Sequence, residues 1–173
     1  MHPGNPEPNE YGAFFAGYIG KAQSITENPI AALELQLDDA LMLLLPLPED
    51  KQTHRYAEGK WSLKQVIGHL TDAERIFAYR AMRVARNDAT PLEKFDENSY
   101  VANADSDHVE WKSLLEEFEL TRNSTIQMLR NLPNEAWTRM GVASGAPISV
   151  RAMVLIMYGH VAHHMGIVRE RYL

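Results

Sequence analysis

Four separated blocks of this chain carry apolar residues at three- and four-residue spacing, and the alternating pattern of a strand is almost absent, which restricts the fold to packed helices. The first block opens at Asn28-Pro29, an N-cap followed by a proline where its missing N–H costs nothing. Leu33, Leu37, Leu41, Leu44 and Leu45 follow, until Pro46 and Pro48 stop it. The second opens at Ser62, with Gln65 completing a capping box and Trp61 and Val66 placed as a hydrophobic staple. Its apolar face, Val66, Ile67, Leu70, Ala73, Phe77 and Val84, reaches about Arg86. The third is expected from Ser106 or Asp107 to about Asn131, on a stripe of Trp111, Leu114, Leu115, Phe118, Leu129 and Leu132. Ser149 caps the fourth, which runs from Val150 to about Tyr172. Residues 1–10 read as a polar tail and 11–173 as one domain, with Tyr11, Phe14, Phe15 and Tyr18 packing onto its body. Asn87 to Asp105 reads as a long linker, and Gly141 to Pro147 as loop with at most a brief extended pair. The expectation is an all-α four-helix bundle.

Two absences narrow the chemistry. The chain has no cysteine, which excludes disulfides, Cys-based zinc sites and a Cys nucleophile and fits a reducing, cytoplasmic setting. Its formal net charge is −6 with no basic run, which argues against nucleic acid or an anionic membrane as partner. The N-terminus lacks the basic and apolar regions of a signal peptide. Ala152 to Val168, the longest uncharged apolar stretch, falls short of the roughly 20 residues a membrane span needs and contains three histidines.

Those histidines are the chemical signal. His160 and His164 are four residues apart, one above the other on a helix face, and continue the inward stripe of Val150, Met153, Met157 and Ile167. His69 lies between Val66 and Ala73 on the apolar side of the second helix. A bundle interior is costly for an unpartnered imidazole, so three inward histidines call for partners. The pattern leaves two readings open, ligation of one metal ion or hydrogen bonding within the core. His163 is offset from the seam and reads as a neighbour in a helix–helix or subunit contact; His2, His54 and His108 read as solvated. Arg122 and Thr125 interrupt the third stripe where a polar cavity could lie. Arg122 would there hold a substrate carboxylate, or else pair with an acid on the second helix. Asp72, near His69, is a candidate to orient a ligand, and Glu74 reads as a surface or interhelical ion pair.

Gly59-Lys60-Trp61-Ser62 leading into Val66-Ile67-Gly68-His69-Leu70-Thr71-Asp72-Ala73-Glu74-Arg75 resembles the second-helix signature of the DinB/YfiT-like superfamily. Gly159-His160-Val161-Ala162-His163-His164 resembles its last helix, and Pro91 to Asp96 and Leu132 to Trp137 resemble its loops. The resemblance implies an up-down-down-up bundle, often dimeric, with the long linker as a crossover. It also implies a metal triad that maps onto His69, His160 and His164, holding Ni2+ or Zn2+; imidazole suits both. Members of this kind include metal-dependent hydrolases and thiol-dependent transferases and isomerases. The implied function is activation of water or a low-molecular-weight thiol toward a small molecule, and the alternative is a noncatalytic, metal-stabilised bundle that binds a partner during stress. A homodimer is suggested by the apolar circumference of the last helix, including Val154, Val161 and Met165, which equally suits a central helix.

Overall fold

Side-chain caps set where the long helices begin. The computed structural model describes residues 4–25 and 27–173. A 3-10 turn at Pro8–Glu10 leads into a short helix, α1 (Ala16–Lys21). α2 (Pro29–Leu44) starts as expected, with Asn28 Oδ1 accepting from the Ala31 N–H. One turn, α3 (Glu49–Gln52), interrupts the following connection. α4 (Leu63–Ala85) opens with the reciprocal Ser62–Gln65 capping box. The linker carries a short polar helix, α5 (Glu97–Asn103), that no apolar stripe announces. α6 (Trp111–Arg130) begins later than expected: Asp105 is left-handed (φ 52°), Ser106–His108 forms its own 3-10 turn, and the extended Val109 forces a new start capped by Glu110. α7 (Val150–Ile167), capped by Ser149, continues as a π-helical turn over Val168–Tyr172.

Hydrogen bonds fix the direction of each helix. Trp111 Nε1 donates to the Leu44 carbonyl at 3.1 Å and Arg130 pairs with Glu34 at the other end, so α2 and α6 are antiparallel. Ser62 Oγ donates to Asp107 and Lys64 Nζ to the Val109 carbonyl, so α4 and α6 start side by side and run parallel. Gln36 on α2 donates to the Tyr158 carbonyl on α7, and Lys51 to that of Tyr172, which makes α2 and α7 parallel. α4 and α7 are antiparallel, with the Tyr172 hydroxyl donating to the Trp61 carbonyl. The bundle is therefore up-down-down-up; α4 and α2 each pack on both α6 and α7. None of the helices is long and apolar enough to cross a membrane, among the described residues.

A small hairpin seals one end. β1 (Met140–Ala143) and β2 (Ala146–Ser149) pair antiparallel where the sequence promised only a brief extended pair. Ser144 and Gly145 both take positive φ (54° and 78°), which matches the right-handed strand twist of a two-residue turn. Leu92 donates to Val142 and Ser144 donates to Leu92, both at 2.9 Å, so the crossover is laced to the hairpin.

Arg122 sits at the centre of the core, fully buried. Its Nη2 donates to Glu74 Oε2 at 3.0 Å and its Nη1 to Gln36 Oε1 at 3.2 Å, while Gln36 Nε2 donates to the Tyr158 carbonyl at 2.9 Å. One polar chain thus takes a member from each long helix and separates two apolar clusters. The ion pair with an acid on the second helix is realised, at full burial rather than at the surface.

α7 is buried around almost its whole circumference. The side that had suggested a second subunit packs within the chain, with Val161 and Met165 in one apolar cluster with Leu37, Ala40 and Leu44 of α2, while α1 covers the opposite side. A Cβ at Gly159 would overlap the Tyr18 carbonyl, so only glycine lets the two backbones approach this closely. The expected free tail ends earlier than residue 10. Glu10 is buried and ion-paired with Arg151, Nε donating to Oε2 at 2.8 Å.

Candidate metal centre

Because α4 and α7 run antiparallel, His69 faces the step between His160 and His164. Nε2 of His69 and Nε2 of His160 are 3.0 Å apart, and the three ring centroids lie 4.6 to 4.9 Å from one another. One ligand atom from each lies within 4.8 Å of the others. Burial pushes His69 down to about 4 and His164 to about 3, and holds His160 well below the ordinary imidazole value. All three are neutral near pH 7, so each can present a lone pair. Convergent neutral imidazoles fit a borderline divalent cation such as Ni2+ or Zn2+.

Aromatic packing orients these rings, and no carboxylate among the described residues hydrogen-bonds to them. Trp61 lies against His69 at 4.9 Å, while Tyr18 and Phe77 meet His160 edge-on at 5.4 and 5.6 Å. The cluster forms the floor of a cavity of about 540 Å³. Phe14, Phe15, Tyr18, Trp61, Phe77 and Phe95 wall it, with Arg80, Lys94, Glu97 and Ser144 adding polar groups.

The remaining candidates lie elsewhere. Asp72 is half-buried, 3.7 Å from the Arg75 guanidinium, and hydrogen-bonds to none of the three rings. Three residues on, it stands only about 60° around the helix from His69, and the ion it meets is Arg75. Arg122 is committed to Glu74 and Gln36 and does not line the cavity. Thr125 donates to the Thr121 carbonyl at 3.1 Å and borders a groove between α4 and α6. His163 stands outside the ligand group but lines the cavity, between Tyr18 at 5.7 Å and His164 at 5.2 Å. Exposed His108 pairs with Asp105, exposed His54 lies beside Tyr172, and His2 is outside the described residues.

Two groups of cavity residues were not picked out from sequence as part of a site. Phe14, Phe15 and Tyr18 were assigned a packing role only, and the cavity is where they pack. Arg80 went unnoticed although it carried a readable signal. It is a charge on the His69–Phe77 face of α4, an anomaly of the same kind as Arg122.

Among helical bundles, this one belongs to the class whose facing helices bring histidines together as a candidate ligand set. The DinB superfamily model matches residues 32–168, and the chain belongs to that superfamily. A Halalkalibacterium halodurans protein, provisionally named a metal-dependent hydrolase, is 30% identical over 96 residues, 56% of this chain and 48% of that one. The match thus spans about half the length of that curated relative. Among solved structures, the chain is similar to YfiT from Bacillus subtilis, described as a probable metal-dependent hydrolase with an unusual four-helix bundle topology. The TM-score is 0.76 at 17% identity over 86% of each chain. It also resembles a mycothiol-dependent maleylpyruvate isomerase, with a TM-score of 0.67 at 15% identity over 80% of this chain and 58% of the other. At these identities the two structures establish the fold alone.

Proposed function

We propose that this protein is a metal-dependent enzyme in which His69, His160 and His164 hold one Ni2+ or Zn2+ ion that activates water or a low-molecular-weight thiol toward a small molecule. The observation that carries the reading is the convergence of three neutral imidazoles, two buried and one half-buried, on the floor of an open aromatic cavity. Held by these three imidazoles, such an ion would supply Lewis acidity that lowers the pKa of water or of a thiol. The chain's own residues do the rest. Trp61, Phe77 and Tyr18 hold the imidazoles in place and give an apolar partner a surface to displace water from. With no cysteine in the chain, any thiol must arrive on a small molecule, and the likeness to a mycothiol-dependent isomerase supports including one. The cavity favours turnover over a purely structural ion, which needs no adjoining space. The cytoplasm, where such thiols stay reduced, is the compartment we propose.

Elemental analysis of untagged protein, beside a variant carrying His69→Ala, His160→Ala and His164→Ala, tests the site. About one nickel or zinc per chain, lost in a variant that keeps its helical circular dichroism, is the expected result. Wild-type protein that takes up neither ion on incubation would overturn the reading.

A further inference from the structure

Of the two arginines buried in this fold, only one has an acid. Arg122 is paired with Glu74, whereas no carboxylate among the described residues lies within 4.0 Å of Arg80, which is 2% exposed. Nη2 of Arg80 donates to the Glu93 carbonyl at 2.5 Å and to Ser144 Oγ at 3.1 Å, and its guanidinium carbon stands 5.9 Å from the centre of the Phe95 ring. Nε and Nη1 have no partner among the described residues. The only side-chain atoms there that are both sealed and unpartnered are Glu74 Oε1 and Arg122 Nε, so Nε and Nη1 of Arg80 open onto the clefts it lines. These are the histidine cavity and a shallower cleft of about 400 Å³.

A mostly buried guanidinium whose remaining donors face a cleft offers an anion a charge-assisted hydrogen bond. We propose that Arg80 is the anchor for a carboxylate on the small molecule this cavity takes, so that the substrate or thiol is a carboxylic acid whose reacting end lies over His69, His160 and His164. The inference rests on the enzyme reading above. Arg80 shares the α4 face of His69, three turns further on, about 16 Å of rise. The Phe77 ring, 5.6 Å from His160, bridges most of that distance, and Arg80 follows Phe77 by about 5 Å of rise. Its side chain tilts back toward the helix N-terminus, so an anchored carboxylate would sit on the order of 10 Å from the histidines. Lys94 at the rim is exposed and so is Glu97, whose opposite charge offsets it. The one desolvated cation matches a single negative charge rather than a phosphate dianion.

The test is calorimetric titration of the metal-loaded protein with 6-mercaptohexanoate and with 6-mercaptohexanol, using wild type, Arg80→Gln and Arg80→Lys, with metal content measured on the same samples. Wild type should bind the acid at least about tenfold more tightly than the alcohol, the range expected for a charge-assisted hydrogen bond. Arg80→Gln should erase that preference at unchanged metal content and unchanged alcohol affinity, and Arg80→Lys should restore part of it. If Arg80 merely clamps the loop and the hairpin, the variants will lower the melting temperature and leave the preference intact, which overturns the proposal. Equal affinity for acid and alcohol in metal-loaded wild type overturns it too, with the metal site standing. Should the protein hold no metal, the enzyme reading fails separately. Titration of 4-phenylbutyrate against 4-phenylbutanol, followed by tryptophan fluorescence, then decides Arg80: an Arg80-dependent preference for the acid supports the anchor, and none overturns it.

Discussion

Glu10 and Asp72 show how much a single side chain depends on what faces it. The Arg151 guanidinium against Glu10 holds its carboxyl down at about 2, while burial raises that of Asp72. The lowered value has a consequence for stability. A carboxyl whose folded pKa lies below its unfolded value of 4.5 contributes fully above that value and loses its contribution as pH falls toward 2. Acidification between pH 4.5 and 2 should therefore release the segment around Glu10, and hydrogen exchange of residues 7–18 should report it. In Glu10→Gln the same exchange should already be raised at pH 7. The three histidines that converge were singled out because each one breaks an apolar stripe. Asp72 was named for its nearness to His69 but meets Arg75 instead, and Arg80 was missed because, among the charged residues, only the one interrupting the third stripe was given weight.

At the scale of the helix, the buried Glu74–Arg122 pair is the strongest constraint. Each long helix contributes one member to its polar chain, so sliding any helix by a turn would strand a charge or an amide in the core. Arg122→Met alone leaves Glu74 buried and unpaired and should cost about 3–5 kcal/mol in urea unfolding. Adding Glu74→Leu should recover most of that loss, since a well-packed apolar replacement of a buried pair is close to neutral. Starts of helices were legible wherever a capping side chain precedes an apolar stripe, as at Asn28, Ser62 and Ser149. The start of α6 was not, because Ser106 and Asp107 resemble caps and only the left-handed Asp105 and extended Val109 reveal the break. α5 escaped because it is short and mostly exposed, without a periodic face.

For the whole molecule, periodicity supplied four helices, and their up-down-down-up order followed from the family resemblance rather than from any stripe. Which apolar surfaces meet is a global property, and α7 illustrates it. Its all-round hydrophobicity reads equally well as an interface or as a centre; α1 covers the Gly159 side, and Val161 and Met165 pack in one cluster with Leu37, Ala40 and Leu44. Removing residues 1–22 should bare the Gly159 side of α7 and one wall of the cavity together. Light scattering should then show self-association of the truncated chain beyond that of the full chain under the same conditions, in line with a large apolar patch left open.

The order in which the chain is made gives that arrangement a further meaning. Phe14, Phe15 and Tyr18 leave the ribosome before His69, and His69 leaves it 91 residues ahead of His160. A nascent chain lacking the final helix owns one imidazole of the three and no finished wall. The three imidazoles can come together only once α7 has been made, so a product stalled before α7 lacks the proposed metal site.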